Sequence, residues 1–110
     1  MVHKCITLLK MLEKKRIFSS VLDLYKLKPI NESKLINTLK KFKKIVIVDE
    51  NTFAGGISSI ISEILVKNNF VKPIRFFCIK NEQCFNYGSR EWLHKKYSLN
   101  VEYIYNELVN

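Results

Sequence analysis

Residues 43–65, KKIVIVDENTFAGGISSIISEIL, carry the residue types and spacing best suited to chemistry in this chain of 110 residues. Asp49 and Glu50 close the apolar run Ile45–Val48. They therefore stand at the carboxyl end of a predicted strand, where open α/β sheets place their ligands. A carboxylate pair can ligate a metal or divide acid and base roles. Adjacent residues of an extended segment point to opposite faces, however, so the two acids do not naturally converge on one atom. A solvated or salt-bridged strand end is expected. Gly55 and Gly56, followed by Ser58 and Ser59, open a helix whose backbone N–H groups can meet an anion. The stretch lacks the third glycine of a dinucleotide fingerprint and the GK[ST] of a phosphate loop. Its residue types favour a structural turn, in which glycine permits positive φ and close approach of helix to sheet.

The second candidate region is YGSREWLHKKY, Tyr87–Tyr97. Arg90, at a helix start just after Gly88, is the candidate for an intermolecular salt bridge. A catalytic histidine needs a nucleophile or carboxylate beside it. The sequence places none near His94, which is expected on the surface of a basic helix. Trp92 and Tyr97 are expected to pack on a core or an interface. Cys5, Cys78 and Cys84 are odd in number and lack ligand spacing, which fits thiols in a reducing compartment. No Ser-His-Asp order, metal triad or complete phosphate loop emerges. No catalytic, cofactor-binding or metal residue is assigned, and the chain alone is not expected to be an active enzyme.

The elements that position these residues follow from apolar periodicity. Cys5, Leu8, Leu9 and Leu12 mark a first amphipathic helix. Ile17–Tyr25, IFSSVLDLY, reads as a strand from its apolar β-formers. Pro29 holds Lys28 extended, and Asn31 caps a helix whose buried stripe is Leu35, Ile36, Leu39 and Phe42. Ile45–Val48 shows no alternation, as expected of a strand covered on both faces. Ile57, Ile60, Ile61, Ile64 and Leu65 recur at helical spacing until Asn68 and Asn69, with Pro73 beyond. Ile74–Ile79 is the next strand. Ser89 caps a further helix, and Asn100 opens a last one with Val101, Ile104, Tyr105 and Leu108 on one face. Helices alternating with buried strands predict an α/β fold of three layers, a mainly parallel sheet flanked by helices, in one domain spanning 1–110. The chain opens on a helix, and three strands are few for these helices to cover. Something that should pair with this sheet is therefore expected to be absent from the sequence.

Nineteen basic residues against ten acids give a formal net charge of +9. That balance raises polyanion binding as a possibility. All but Arg16, Arg75 and Arg90 are lysines spread along the chain, densest at Lys40–Lys44, whereas base readout favours arginine. Sequence-specific nucleic-acid binding is not expected. No apolar run approaches the ~20 residues needed to cross a bilayer. The start, MVHKCITLLKMLEKKR, is unlike a secretory signal, so a cytoplasmic location is expected.

Taken in order, VLDLYKLKPINESKL, KKIVIVDENTFAGGISSIISEIL and YGSREWLHKKYSLNVEYI resemble the C-terminal domain of transketolase-like, thiamine-diphosphate-dependent enzymes. The matching positions are Asp23 at a strand end, Lys28-Pro29-Ile30-Asn31, the acids Asp49-Glu50, Gly55-Gly56-Ile57-Ser58-Ser59, and Gly88-Ser89 with Leu93, Lys96-Tyr97 and Leu99. Ser58 stands where the family usually has a third glycine. Ser98 replaces the glycine of KYGL, a change of little consequence if that turn does not need positive φ. The family domain also starts with a strand ending in glycine, inside the sheet, that this sequence does not show. Its loss would leave unpaired backbone on both sides of a gap.

The resemblance implies a noncatalytic domain, N-terminally truncated or split from its enzyme, that contributes to domain and dimer assembly. In the complete enzyme, thiamine diphosphate and Mg²⁺ are held by the two preceding domains, and Glu50 is not the glutamate that activates the cofactor. The expected partner is the cofactor-binding subunit or domains of a transketolase-like transferase of two-carbon ketol units. A 1-deoxyxylulose-5-phosphate synthase, to which DENTFAGG is well matched, and a 2-oxo acid dehydrogenase β-subunit are the alternatives within the class. A free-standing α/β module for a nucleotide or polyanion is the alternative outside it. Asp49, Glu50, Gly55, Gly56, Ser58, Ser59 and Arg90 are the expected interface or anion contacts.

Overall fold

A computed structural model describes residues 1–110. The elements run α1 (Val2–Lys14), α2 (Glu32–Leu39), β1 (Ile45–Thr52), α3 (Ile57–Lys67), β2 (Ile74–Ile79), α4 (Arg90–Lys96) and α5 (Val101–Val109). The chain divides into two compact units, Leu24–Asn81 and a second composed of Met1–Asp23 with Glu82–Asn110.

In the unit Leu24–Asn81, β1 and β2 pair in parallel from Ile45 opposite Ile74 to Val48 opposite Phe77. Parallel neighbours need a crossover, and α3 supplies it. Leu35 and Ile36 of α2, Ile45 and Ile47 of β1, and Ile61, Ile64 and Leu65 of α3 form the core. These are the apolar positions that helical and strand periodicity selected. Asn31 caps α2 by accepting a 2.9 Å hydrogen bond from Lys34 N. At the other end of α2, Lys72 Nζ donates to the carbonyls of Leu39 (3.1 Å), Lys40 (2.6 Å) and Phe42. The ammonium thus satisfies carbonyls that a helix end leaves over, with the charge favoured there.

The predicted strand Ile17–Tyr25 does not form. The sheet has two strands, and no residue from Phe18 to Ile30 makes a backbone–backbone hydrogen bond. Phe18 is 87% exposed and Tyr25 89% exposed. A strand exists only through its partner's N–H and C=O groups, and β-forming side chains cannot supply that partner. The α/β class stands, with one strand fewer than periodicity predicts.

In the other unit α1 packs on α5, with Leu8, Leu12, Leu99 and Ile104 buried. Ser89 caps α4, accepting from Trp92 N at 3.2 Å. Asn100 stands at the start of α5, but its side chain donates to Glu102 (3.1 Å) rather than capping the helix. Ser98 has φ 59°. It occupies the left-handed turn after α4, where Leu99 N returns to His94 O at 2.7 Å, so this turn does need positive φ. The Ser98 departure is consequential: a serine bears steric strain that glycine would not.

Candidate functional site at the end of strand β1

Asp49, Glu50, Gly55 and Gly56 lie together at the carboxyl end of β1. Between Val48 and Thr52 the register with β2 slips, since Phe77 and Ile79 are the corresponding partners. A bulge of this kind bends a strand and re-aims its side chains. Here Asp49 lies beneath the turn, 4% exposed. Its Oδ1 accepts from Asn51 N and Asn51 Nδ2, each at 3.0 Å. Its Oδ2 accepts from Ile57 N at 2.8 Å, the first residue of α3. Asp49 is therefore the cap of α3, supplied from eight residues upstream and carrying the charge that a helix N-terminus favours. The expected solvated or salt-bridged strand end is corrected for Asp49, because the bulge and turn enclose it. Glu50, its neighbour on the opposite face of the strand, is half-buried.

The two glycines do different work. Gly55 has φ 79° with open space where a side chain would stand. Its N–H donates to Ser59 Oγ at 3.0 Å, and that hydroxyl in turn donates to Gly56 O at 3.0 Å. Gly56 is extended, but a Cβ there would lie 2.5 Å from Asp49 Oδ2 and 2.6 Å from Thr52 O. Glycine at 55 answers a conformational need, and glycine at 56 a spatial one. Asn81 Oδ1 accepts from Ala54 N at 3.1 Å, tying the turn to the end of β2. Ser58 is fully buried, and its Oγ has no hydrogen-bond partner.

This turn does not fit a diphosphate. The first N–H of α3 is spent on Asp49, the Gly55 N–H is spent on Ser59, and a buried carboxylate already occupies the helix mouth. A second anion would meet like charge. No three His, Cys, Asp or Glu side chains gather into a metal-binding group.

Arg90 lies in the other unit, exposed in the first turn of α4. His94 is 5% exposed rather than on the surface. Lys4 of α1 contacts its Nδ1 and also donates to Glu91 Oε2 at 3.0 Å. An ammonium has only donors, so the imidazole nitrogen is the acceptor. Sequence spacing could not join Lys4 to His94, because the packing of α1 supplies the partner. Trp92 is 47% exposed, with Lys96 Nζ 5.3 Å from its ring centroid. Hydrogen bonding with Tyr97 lowers the Cys84 thiol below its ordinary value, and the same contact raises Tyr97.

Comparison with known proteins places these features in a family. Residues 1–104 match the transketolase C-terminal domain. The chain belongs to that family. Among solved structures the domain superposes on a split-gene transketolase, described as an inactive β4 tetramer, with a TM-score of 0.82 at 25% identity, covering 96% of this chain and 34% of that one. It is 31% identical to 1-deoxy-D-xylulose-5-phosphate synthase of Natranaerobius thermophilus, over all of this chain and 17% of the relative. The corresponding synthase of Caldanaerobacter subterraneus subsp. tengcongensis is 30% identical over 94% of this chain and 17% of its own length. This transketolase C-terminal domain thus spans about a sixth of the curated relatives it matches. None of its helices is long and apolar enough to cross a membrane.

Proposed function

We propose that this domain is the noncatalytic C-terminal part of a thiamine-diphosphate-dependent enzyme, and that it serves assembly with the cofactor-binding domains and dimer formation. The observation that carries this reading is the stretch Phe18–Ile30. It is rich in exposed apolar side chains, and its backbone makes no hydrogen bond to other backbone in the chain. Such a segment asks for a neighbour. In the same reading Glu50, the outer face of the Gly55–Ser59 turn and Arg90 contact a neighbouring domain or subunit. Thiamine diphosphate and its Mg²⁺ are held outside this chain, in keeping with a helix mouth that a buried carboxylate already occupies.

Two reactions fit the family. Transfer of two-carbon ketol units between sugar phosphates is one. Synthesis of 1-deoxyxylulose 5-phosphate is the other, and the naming of the curated relatives favours it. The test is co-expression with a thiamine-diphosphate-binding polypeptide of the same source, followed by co-purification and assay of both reactions. Co-elution, with turnover that depends on this chain, is the expected result. A solitary, cooperatively folded monomer with no thiamine-dependent companion would refute the reading, as would turnover by the chain unaided.

A further inference from the structure

The unit formed by Met1–Asp23 and Glu82–Asn110 holds a contact whose chemistry makes it sensitive to protons. His94 of α4 is buried, and Lys4 of α1 sets its ammonium against the imidazole Nδ1. An ammonium only donates, so Nδ1 presents its lone pair and carries no proton. Once protonated, Nδ1 has no lone pair, and two cations would face each other away from water. The carboxylates nearby are already engaged. Glu91 of α4 accepts from Lys4 at 3.0 Å. The Lys4 hydrogen bond, and then the charges of Lys4, His94 and Arg90, hold its carboxyl below the ordinary value. On α5, Asn100 first, with smaller effects from Lys95 and Lys4, does the same for Glu102. Both therefore stay ionised in mild acid, where a histidine ordinarily gains its charge.

Of the two helices that meet at this contact, α1 is the one able to yield. It rests on α5 through the cluster that buries Leu8 and Leu12 with Leu99 and Ile104. The N–H groups of Arg16 and Ile17 return to Glu13 O and Leu12 O, and no backbone–backbone hydrogen bond involves Phe18–Ile30. A terminal helix tethered in this way opens locally at lower cost than an interior element. By contrast, α4 is fixed at both ends. Ser89 caps its start, and Leu99 N donates to His94 O at its finish. Repulsion between Lys4 and a charged His94 therefore displaces α1.

We propose that Lys4 and His94 form a proton-operated latch: uptake of a proton by the buried imidazole in mild acid loosens α1 from α4 and α5 and leaves the Leu24–Asn81 unit folded. The imidazole binds a proton more readily with the latch open, so opening is favoured as the pH falls below about 6.5, the ordinary histidine value. The test is amide exchange of the full chain at about pH 7.5 and 5.5, corrected for the intrinsic pH dependence of exchange. One proton taken up on opening predicts that protection in α1 falls about tenfold over that interval, while protection in α3 holds. His94→Gln keeps an acceptor for Lys4 but does not titrate, and it should abolish the fall. His3→Gln, at the exposed second histidine, should retain it. Lys4→Met removes the opposing cation and should shrink it, which keeps the test decisive if His94→Gln does not fold. Unchanged protection of α1, an equal fall in His94→Gln, or a His94 imidazole that is already protonated at the higher pH would each overturn the proposal. Loss of protection in α3 together with α1 would also overturn it, since acid would then be unfolding the whole chain.

Discussion

The turn Asp49–Ser59 and the segment Phe18–Ile30 belong to the same chain and treat their backbone in opposite ways. In the turn, Asp49 accepts from three N–H donors, Ser59 accepts from another and donates its own O–H to Gly56 O, and Asn81 accepts from the N–H of Ala54. The segment directs no backbone group to another backbone group and leaves Phe18 and Tyr25 in solvent. Most of a folded domain's buried backbone is paired within it. The contrast teaches that a cluster of acids, glycines and serines can turn most of its polar groups on one another, whereas a plain apolar stretch can leave its backbone open.

Substitutions can break that contrast. Gly56→Ala should have the largest effect, about 2–4 kcal/mol of destabilisation in a denaturant titration, because the new methyl overlaps backbone at Thr52 as well as Asp49 Oδ2. Asp49→Ala should cost about 2–3 kcal/mol, because it removes the cap of α3 and leaves part-buried N–H groups without their acceptor. By comparison, Val21→Pro in the open segment should change the stability of the isolated chain by less than about 0.5 kcal/mol, since no ladder hydrogen bond is lost there. A large loss at Val21 would mean that the segment is already paired.

Two substitutions should stabilise. Ser58→Ala removes a buried hydroxyl that has no partner and should raise stability by about 1 kcal/mol, provided the site closes around the smaller side chain. Ser98→Gly should gain a similar amount, about 1 kcal/mol, by relieving the left-handed backbone at φ 59°. The smallest effect is electrostatic. Hydrogen bonds from Lys67 and then Asn68 hold the Glu32 carboxyl below its ordinary value, and Lys4 does the same for Glu91. A depressed carboxylate contributes stability above the pKa of free glutamate, about 4.3, and loses it as the pH falls through the lower folded value. The difference in melting temperature between the wild type and Glu32→Gln should therefore be small near neutrality and vanish on acidification. Both carboxylates are solvent-accessible, so salt should weaken the effect.

Much of the architecture was legible along the chain. Apolar pattern marks Ile74–Ile79 as a strand with the bounds it has, and residue type and spacing mark Asn31 and Ser89 as caps and Ile61, Ile64 and Leu65 as core. Each depends on side chains within a few residues of one another, so local spacing carries the information. The glycine turn was legible as a turn, but its completeness was not. The slip in register that draws Asp49 under α3 needs β2 in place.

The amino-acid sequence by itself determined the helices, the β1–β2 strand pair, the caps and the family motifs. Only the tertiary structure decided that Lys72 closes the end of α2, that Lys4 engages buried His94, and that Ile17–Tyr25, a strand by composition, stays unpaired. Helices close their own hydrogen bonds from neighbours in the chain, whereas strands, caps from afar and buried polar pairs require groups that folding alone brings together.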